Sequence, residues 1–551
     1  MLVPRSGVHA FRPTSIIHAA VTTAVPDLLI IGGGITGAGV ARDAALRGLQ
    51  VTLVERDDIA CGTSSRSSRL VHGGVRYLEH GHLRLVFESS RERRILLTTA
   101  PHLVRPLSFT WPVYRGTRLP RWKVGAGLAL YDALSLFRNV GRHQRLNSTG
   151  VLEREAALES NALLGGFAYW DASTDDSRLT LATAVDAAVC GADIRTHTEV
   201  LELLRDGSRI VGARVANTLT GEESELRARL VVSTVGPWTD ELLGRDPGAV
   251  REQQTVRGTK GVHIMLPREA AGNAGALTLI APADGRVTFA LPAGDFSLIG
   301  TTDTPTDEHP ATVRASQADV AYLLNVVRHF FPGRDTSERD VVSSWAGIRP
   351  LAVAGYSDGP SSASREHSIV MHPSGMLVVT GGKLTTYRSM AAEVVDRAGL
   401  ALGTRLADSG TAERPLPGGD CEPEAERAAA ERETGSAALA LRLSRAHGSG
   451  WRSVWSLTSG SPGLAEYITP ERPYIMAEVV HAVRSEWAHT LADVLVRRVP
   501  LAFETSDHGR EAAVAVSRVL ASELGWNENR RESELARYES DITAIFGAQT
   551  E

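Results

Sequence analysis

The pattern of apolar and polar positions changes period several times along the chain. DLLII carries an unbroken apolar run over Leu28–Ile31, as a strand buried on both faces requires. The next residues predict a helix over Ile35–Arg47 and a second strand over Gln50–Val54. Residues 82–97 set Leu83, Leu85, Val86, Phe87, Ile95, Leu96 and Leu97 among Arg and Glu, which predicts an amphipathic helix ending before Pro101. Residues 101–164 are less regular, with three early prolines and a helical GAGLALYDALSLF later. SRLTLATAVDAAV (177–189) predicts another helix, and alternation around Asp206-Gly207 predicts a sheet segment with a hairpin. ARLVVSTVGPWTD predicts a strand over Leu230–Thr234 running into Gly236 and Pro237. Residues 255–300 and 341–380 are strand-rich; GMLVVTGGKLTTYRSMAAEVVDRA reads as strand, Gly381-Gly382, helix. Beyond about residue 400 the pattern becomes helical, with breaks near Gly448, Gly460 and Pro473.

The first of these units carries chemistry. Gly32, Gly34 and Gly37 form G-x-G-x-x-G between strand and helix. The first makes the tight turn, the second admits a pyrophosphate, and the third lets helix pack on strand. The helix N-terminus would face the pyrophosphate. Glu55 ends the second strand, 23 residues after Gly32, where a carboxylate accepts hydrogen bonds from an adenosine ribose. The glycines alone are weak evidence; strand, helix, second strand and terminal acid together predict a dinucleotide site. The turn fits FAD and NAD alike. The small-residue stretch RDDIACGTSSRSSRLVHGG that follows favours FAD, because a nicotinamide dehydrogenase would more simply continue into another helix and strand.

Length and composition change this picture modestly. The 551 residues are too many for one core, and 43% apolar with 22% charged residues describes a folded globular protein. We expect an FAD-binding domain from 27–100, 166–240 and 346–400, a substrate or cap domain from 101–165 and 241–345, a linker at 401–423 and a helical domain at 424–551. Residues 1–26 read as a loosely attached extension. The formal charge of -5 disfavours nucleic acid as the main partner. Cys61, Cys190 and Cys421 lie far apart, so no metal site or disulfide framework is expected and a reducing compartment fits. No run of 18 apolar residues predicts a membrane span.

Cationic candidates follow glycines and strands: His72, Arg76 and Tyr77 in RLVHGGVRYLEHG, His263 in KGVH, Arg349 in WAGIRPL, Lys383 in GGKLTTYR. Buried cations there call for an anion. Salt bridges to Asp or Glu are the plainer alternative.

The blocks DLLIIGGGITGAG, CGTSSRSSRLVHGGVRYLEHG, DDSRLTLA, GPWTD, RGTKGVHI, LIGTTDT, GIRPL, SREHSI and GGKLTTYR, with the tail RPYIMAEVVHAVRSEWAHTLADVLVRRVPLAF, resemble the FAD-dependent glycerol-3-phosphate dehydrogenases. The likeness runs over roughly 27 to 530. It implies an α/β fold like that of glycine and D-amino-acid oxidases: a discontinuous Rossmann-like FAD-binding domain, a mixed-sheet substrate domain and an all-helical C-terminal domain. It puts His72, Arg76, Tyr77, Arg349 and Lys383 at active-site positions, with Lys260 and His263 on the substrate-side strand. Gly32, Gly34, Gly37, Glu55, Ser64, Ser65, Gly236, Asp303, Gly382 and Thr385 become flavin contacts or their neighbours. Gly73 and Gly74 would bring backbone close to the flavin. Departures are modest: His447 stands where tyrosine is common, and Glu366 where aspartate is usual, which bears on the role of Arg365.

The resemblance implies oxidation of sn-glycerol 3-phosphate to dihydroxyacetone phosphate, with hydride leaving C2 for flavin N5. Arg349, assisted by Arg76, would hold the phosphate, Lys383 would stabilise charge on O2, and His72 or His263 would take the proton. It also implies a quinone acceptor, with oxygen as the alternative, and peripheral attachment to the inner face of the cytoplasmic membrane. RGTRLPRWK and LFRNVGRHQR are basic and apolar segments that suit anionic lipid. A homodimer is compatible with it. The competing enzyme class is a flavin amine or amino-acid oxidase, which needs one dominant cation for a carboxylate.

Overall fold

The computed structural model describes residues 25–75, 82–136, 139–248, 255–353, 363–364 and 367–547. Arg76, Tyr77, Arg365 and Glu366 lie outside these residues, as does most of the expected extension at 1–26. The side chain of Val353 is likewise not described.

The apolar run Leu28–Ile31 is a fully buried strand at the centre of a six-stranded sheet. Val51–Val54 lies on one side of it and Leu230–Ser233 on the other, both parallel and in register. Asp193–Arg195 and Leu377–Thr380 extend the parallel sheet outward, and Ser368–Met371 closes one edge antiparallel. The helices Ile35–Leu46, Asp176–Val189 and Tyr387–Leu402 bury small-residue faces against it and one another. This is the doubly wound arrangement that continuous apolar strands require. The hairpin expected at Asp206-Gly207 forms as Thr198–Asp206 and Arg209–Asn217, and Glu223–Arg227 adds a third strand.

A mixed eleven-stranded sheet supplies the second layer. Its long strands are Arg105–Tyr114, Leu163–Ser173, Val256–Pro267 and Ser343–Val353. Leu163–Ser173 runs continuously across residue 165, and Ser343–Val353 across residue 345, so single strands span the boundaries expected there. Leu70–Val71 also pairs into this sheet, with Leu163–Ser173.

Residues 423–546 are mostly helical, as the pattern predicts, except for a small hairpin, Tyr467–Thr469 and Arg472–Ile475, around Pro473. The helical unit shares a core with the large sheet: Phe503 meets Trp345 edge-on at 4.8 Å, and Phe546 meets Phe503 at 4.9 Å. Buried ion pairs also fasten it. Asp58 accepts from both Arg497 and Arg498, Asp493 pairs with His197 at 2.9 Å, and Glu486 pairs with Arg178 at 2.8 Å. The stretch expected as a linker is a strap laid on the body. Leu416 N donates to the Thr99 carbonyl (2.8 Å), and Arg42 Nη2 donates to the Arg414 carbonyl (2.8 Å). These groups are half-buried or buried, and satisfying them holds the strap in one path.

Candidate active site

One cavity of about 530 Å³ opens between the two sheets. Its cofactor side grows from the glycine turn. Gly32 has φ +108°, and a side chain there would press on the backbone of Thr234. A Cβ on Gly37 would sit well inside contact distance of the Gly32 carbonyl, so helix and strand pack as the motif requires. Gly37 therefore does not line the cavity, whereas Gly32 and Gly34 do. Ser64 Oγ accepts from the Ile35 N–H (3.0 Å) and ties the small-residue loop to the helix start. Ser65 turns away: it is buried, and its hydroxyl donates to the Gly62 carbonyl inside the 3-10 turn Thr63–Ser65. Ser65 is thus a neighbour of the cavity wall, not part of it, because the turn points successive side chains in different directions.

Glu55 lines the cavity at the end of its strand. Its Oε2 accepts from Gly33 N–H (2.7 Å) and its Oε1 from Asp57 N–H (3.1 Å). Oε1 also accepts from the Cys61 thiol (3.6 Å), while Oε2 keeps a second lone pair that can accept a ribose hydroxyl. Burial raises its pKa, and the nearby Asp57 charge adds to this, while the two backbone bonds oppose it. Gly236, Asp303, Gly382 and Thr385 also line the cavity. Gly381 and Gly382, at φ +72° and +92°, make a turn that L side chains rarely adopt. The cradle fits a flavin dinucleotide: a helix N-terminus, a glycine turn that a Cβ would fill, and a carboxylate placed for ribose.

The cationic side comes from four separate segments. His72 lines the cavity, and its backbone is tied to Thr385 by bonds in both directions (3.1 and 3.3 Å). Lys383 lines it from the glycine turn. His263 and Arg349 come from the neighbouring strands Val256–Pro267 and Ser343–Val353, whose register sets Thr259 opposite Arg349 and His263 opposite Trp345. Side chains alternate along a strand. Thr259, Gly261 and His263 therefore face the cavity, and Lys260 faces away, where Glu308 (3.2 Å) and Asp319 (3.0 Å) hold its ammonium. Lys260 thus shares the strand of His263, as expected, with its side chain directed away from the cavity.

Arg349 lies over Gly261, where a Cβ would strike its guanidinium. It donates to the Thr301 hydroxyl (2.8 Å), the Thr302 carbonyl (3.2 Å) and Asp303 Oδ1 (3.3 Å). The salt-bridge alternative is thus partly realised, yet the side chain remains 35% exposed to the cavity. His263 is fully enclosed. It stacks on Trp345 at 5.8 Å, presses on Gly300, and shares a 3.0 Å hydrogen bond with Ser68 Oγ. Burial, then the charges of Arg349 and Arg69, lower its pKa to about 3, so it is a neutral imidazole. Gly73 packs differently from expectation: a Cβ there would collide with the Tyr131 hydroxyl, and its N–H donates to Asp171 (2.9 Å). Its close approach is to a buried Arg93–Asp171–Tyr131 cluster, and it is not part of the cavity lining.

Sequence reading missed three groups. Arg66 lines the cavity with its charge buried, bonded to the Ala346 carbonyl at 3.4 Å, and burial lowers its pKa. Arg69, at φ +54°, lies over the rings of Trp345 (5.8 Å) and Phe503 (5.0 Å). Trp345 and Phe503 back His263 from behind. The SSRSSR run signalled the two arginines; nothing local signalled the rings. Two groups of potential metal donors also occur among the described residues, Glu55–Asp57–Cys61 and His447–His481–Glu486. In the second, Arg178 and Arg498 already hold Glu486.

Comparisons with known proteins agree with this architecture. Residues 27–396 match the family model for FAD dependent oxidoreductases, and residues 409–531 match that for the C-terminal domain of alpha-glycerophosphate oxidase. The chain is 37% identical over 534 residues to glycerol-3-phosphate dehydrogenase 2 of Mycobacterium tuberculosis, covering 95% of this chain and 89% of that one. It is 36% identical over 535 residues to the glycerol-3-phosphate dehydrogenase of Synechocystis, covering 93% and 95%. The solved glycerol-3-phosphate dehydrogenase of Bacillus halodurans, complexed with FAD, superposes with a TM-score of 0.80 at 30% identity, over 96% of this chain and 97% of that one. Glycine oxidase from Geobacillus kaustophilus shares the fold over 72% of this chain, with a TM-score of 0.52 at 22% identity. A flavin cradle joined to a cation-lined pocket, closed by a helical unit of this type, places the chain in the FAD-dependent glycerol-3-phosphate dehydrogenase family, and it is a flavoprotein oxidoreductase.

Proposed function

We propose that this protein oxidises sn-glycerol 3-phosphate at C2 to dihydroxyacetone phosphate and passes the electrons to a quinone. The carrying observation is the partly exposed side chain of Arg349 in the same cavity as the nucleotide cradle, beside His263 and with His72 and Lys383 on its walls. Bound FAD supplies the two-electron acceptor for the hydride leaving C2. Arg349 takes the phosphate through its fork, exchanging the weak Asp303 contact for a dianion. Arg76, placed by resemblance, assists. Lys383 stabilises negative charge growing on O2. His72 accepts the hydroxyl proton. His263 is the poorer base, since burial and two cations hold its pKa near 3. As a neutral ring clamped between Gly300 and Trp345 it orients the substrate instead.

Arg349→Gln should raise KM for glycerol 3-phosphate by about a hundredfold or more, the typical cost of a few kcal/mol for removing one partner of a desolvated charge pair, with glycerol turnover little changed. Equal losses on both substrates would sink the phosphate role. For the proton, single-turnover flavin reduction by His72→Asn, followed against pH, should lose its basic-limb acceleration; an unaltered profile removes His72 as base.

Peripheral attachment to a membrane is supported by the helix Arg121–Leu134, whose exposed residues are Trp122, Ala126, Ala129, Leu130 and Ala133 together with one cation, Lys123. Trp122 is 75% exposed, and Leu136, Val140 and Phe87 add further exposed apolar surface. Among the described residues no helix is long and apolar enough to cross a membrane. Turnover with a soluble quinone analogue, compared with dissolved oxygen, decides the acceptor.

A further inference from the structure

A second crevice, of about 190 Å³, lies between the body and the helical C-terminal unit, away from the cavity above. His102, Arg105 and Asp175 line it from the body, and Leu441, Arg442 and Arg445 from the helical unit. Arg105 opens the long strand Arg105–Tyr114, and Arg445 stands in the last turn of the helix Ala437–His447. Arg442 is satisfied: it pairs with Glu478 (2.8 Å), donates to the Arg498 carbonyl (2.8 Å) and lies on the Tyr474 ring. Arg105 and Arg445 differ. Among the described residues neither side chain has a hydrogen-bond or ion-pair partner; Arg105 lies in the field of Arg445, with Asp175 opposing, and Arg445 lies in the fields of Glu424 and Arg427. Burial, and then the charge of Arg445, lower the pKa of Arg105 to about 10. Below them His102 is 2% exposed, and its Nδ1 has no partner among the described residues. Burial, then Arg178, His447 and Arg105, hold that ring neutral with a pKa of about 3. Asp175 is the one carboxylate in the lining, and it is engaged as the N-cap of the helix Asp176–Val189. Two arginines without side-chain partners, Arg105 partly buried and Arg445 exposed, outweigh the one carboxylate of the lining, and a dianion between them answers both charges and their open donors.

We propose that this crevice is a second anion site, holding free inorganic phosphate between Arg105 and Arg445. A bound phosphate bridges the body to the helical unit. It also sits beside Asp175, whose neighbour Asp176 takes the Ser67 N–H (3.0 Å) and hydroxyl (2.6 Å), and Ser67 lines the main cavity. Occupancy therefore bears on the wall of the reaction cavity without touching substrate.

The test titrates the FAD-loaded full chain with inorganic phosphate, by calorimetry and by the flavin absorbance change. Calorimetry should count one site more than flavin absorbance, which reports the reaction cavity alone. In Arg105→Gln/Arg445→Gln the extra site should weaken by about tenfold or more, with the flavin isotherm unmoved within about twofold, and the Lys/Lys variant should retain part of it. If the double variant loses FAD, Arg445→Gln alone, at an exposed position, should still weaken the extra site about fivefold. Equal site counts by the two methods, or an extra site indifferent to these variants, would overturn the proposal. Loss of the flavin response in the unaltered protein would instead count against the phosphate role of Arg349 and leave the crevice standing.

Discussion

The two sides of the reaction cavity are built by opposite means. The cofactor side is local: Gly32, Gly34, Gly37 and Glu55 belong to one strand–helix–strand unit, with Ser64 in the loop that follows it, and the spacing of the unit along the chain fixes its spacing in space. The cationic side is assembled at long range. His72, His263, Arg349 and Lys383 come from four segments, and two of them meet because a ladder sets Thr259 opposite Arg349 and His263 opposite Trp345. A local unit carries its chemistry as a motif, and one residue can destroy it. A long-range site has no motif of its own. Its parts are held by register and packing, with Phe503 of the helical unit supporting the ring on which His263 stacks.

The largest effect is expected on the local side. Gly37→Val places side-chain atoms against the Gly32 carbonyl, and neither backbone can retreat. The variant should purify without FAD, shown by the absence of flavin absorbance; a normally yellow protein would mean that the unit is more plastic than its packing implies. Next comes the junction of the helical unit with the cofactor loop. Asp58 is fully buried between Arg497 and Arg498, so Asp58→Ala strands two arginines and should cost about 3–5 kcal/mol in urea unfolding. A loss below about 1 kcal/mol would show that the network is not what fastens the unit.

The smallest effect concerns protons on the long-range side. His263 has a folded pKa near 3 against about 6.5 unfolded, so below pH 6.5 the unfolded chain binds the proton and the folded one does not. Stability therefore falls as pH drops from about 6.5 toward 3, by about 1.4 kcal/mol per pH unit for each such histidine. His102 and His447 behave alike, each lowered to about 3. His263→Asn should flatten the acid slope of urea stability by one histidine's share, and an unchanged slope would show that the ring is protonated in the folded protein.

The fold was legible where periodicity is strong. The nucleotide strands, the helices at 35–46, 83–99 and 176–189, and the helical tail follow from pattern alone. The strap at 409–419 was not legible, because polar, Gly- and Pro-rich composition looks the same whether its backbone bonds go to water or to Thr99 and Arg42. At the site, residue types were readable and directions were not. Lys260 and His263 stand three apart on one strand and face opposite ways, and Gly73 serves a buried tyrosine where a cofactor contact was expected.

The sequence by itself determined the nucleotide unit, through spacings fixed by covalent geometry, the set of cations on offer, through residue identity, and the family, through the resemblance of its blocks. Tertiary structure alone decided which cations share a cavity, which are bound to acids, and which histidine is held neutral. Those outcomes depend on strand register and on burial by residues far away in the chain, and neither is written in any short stretch of it.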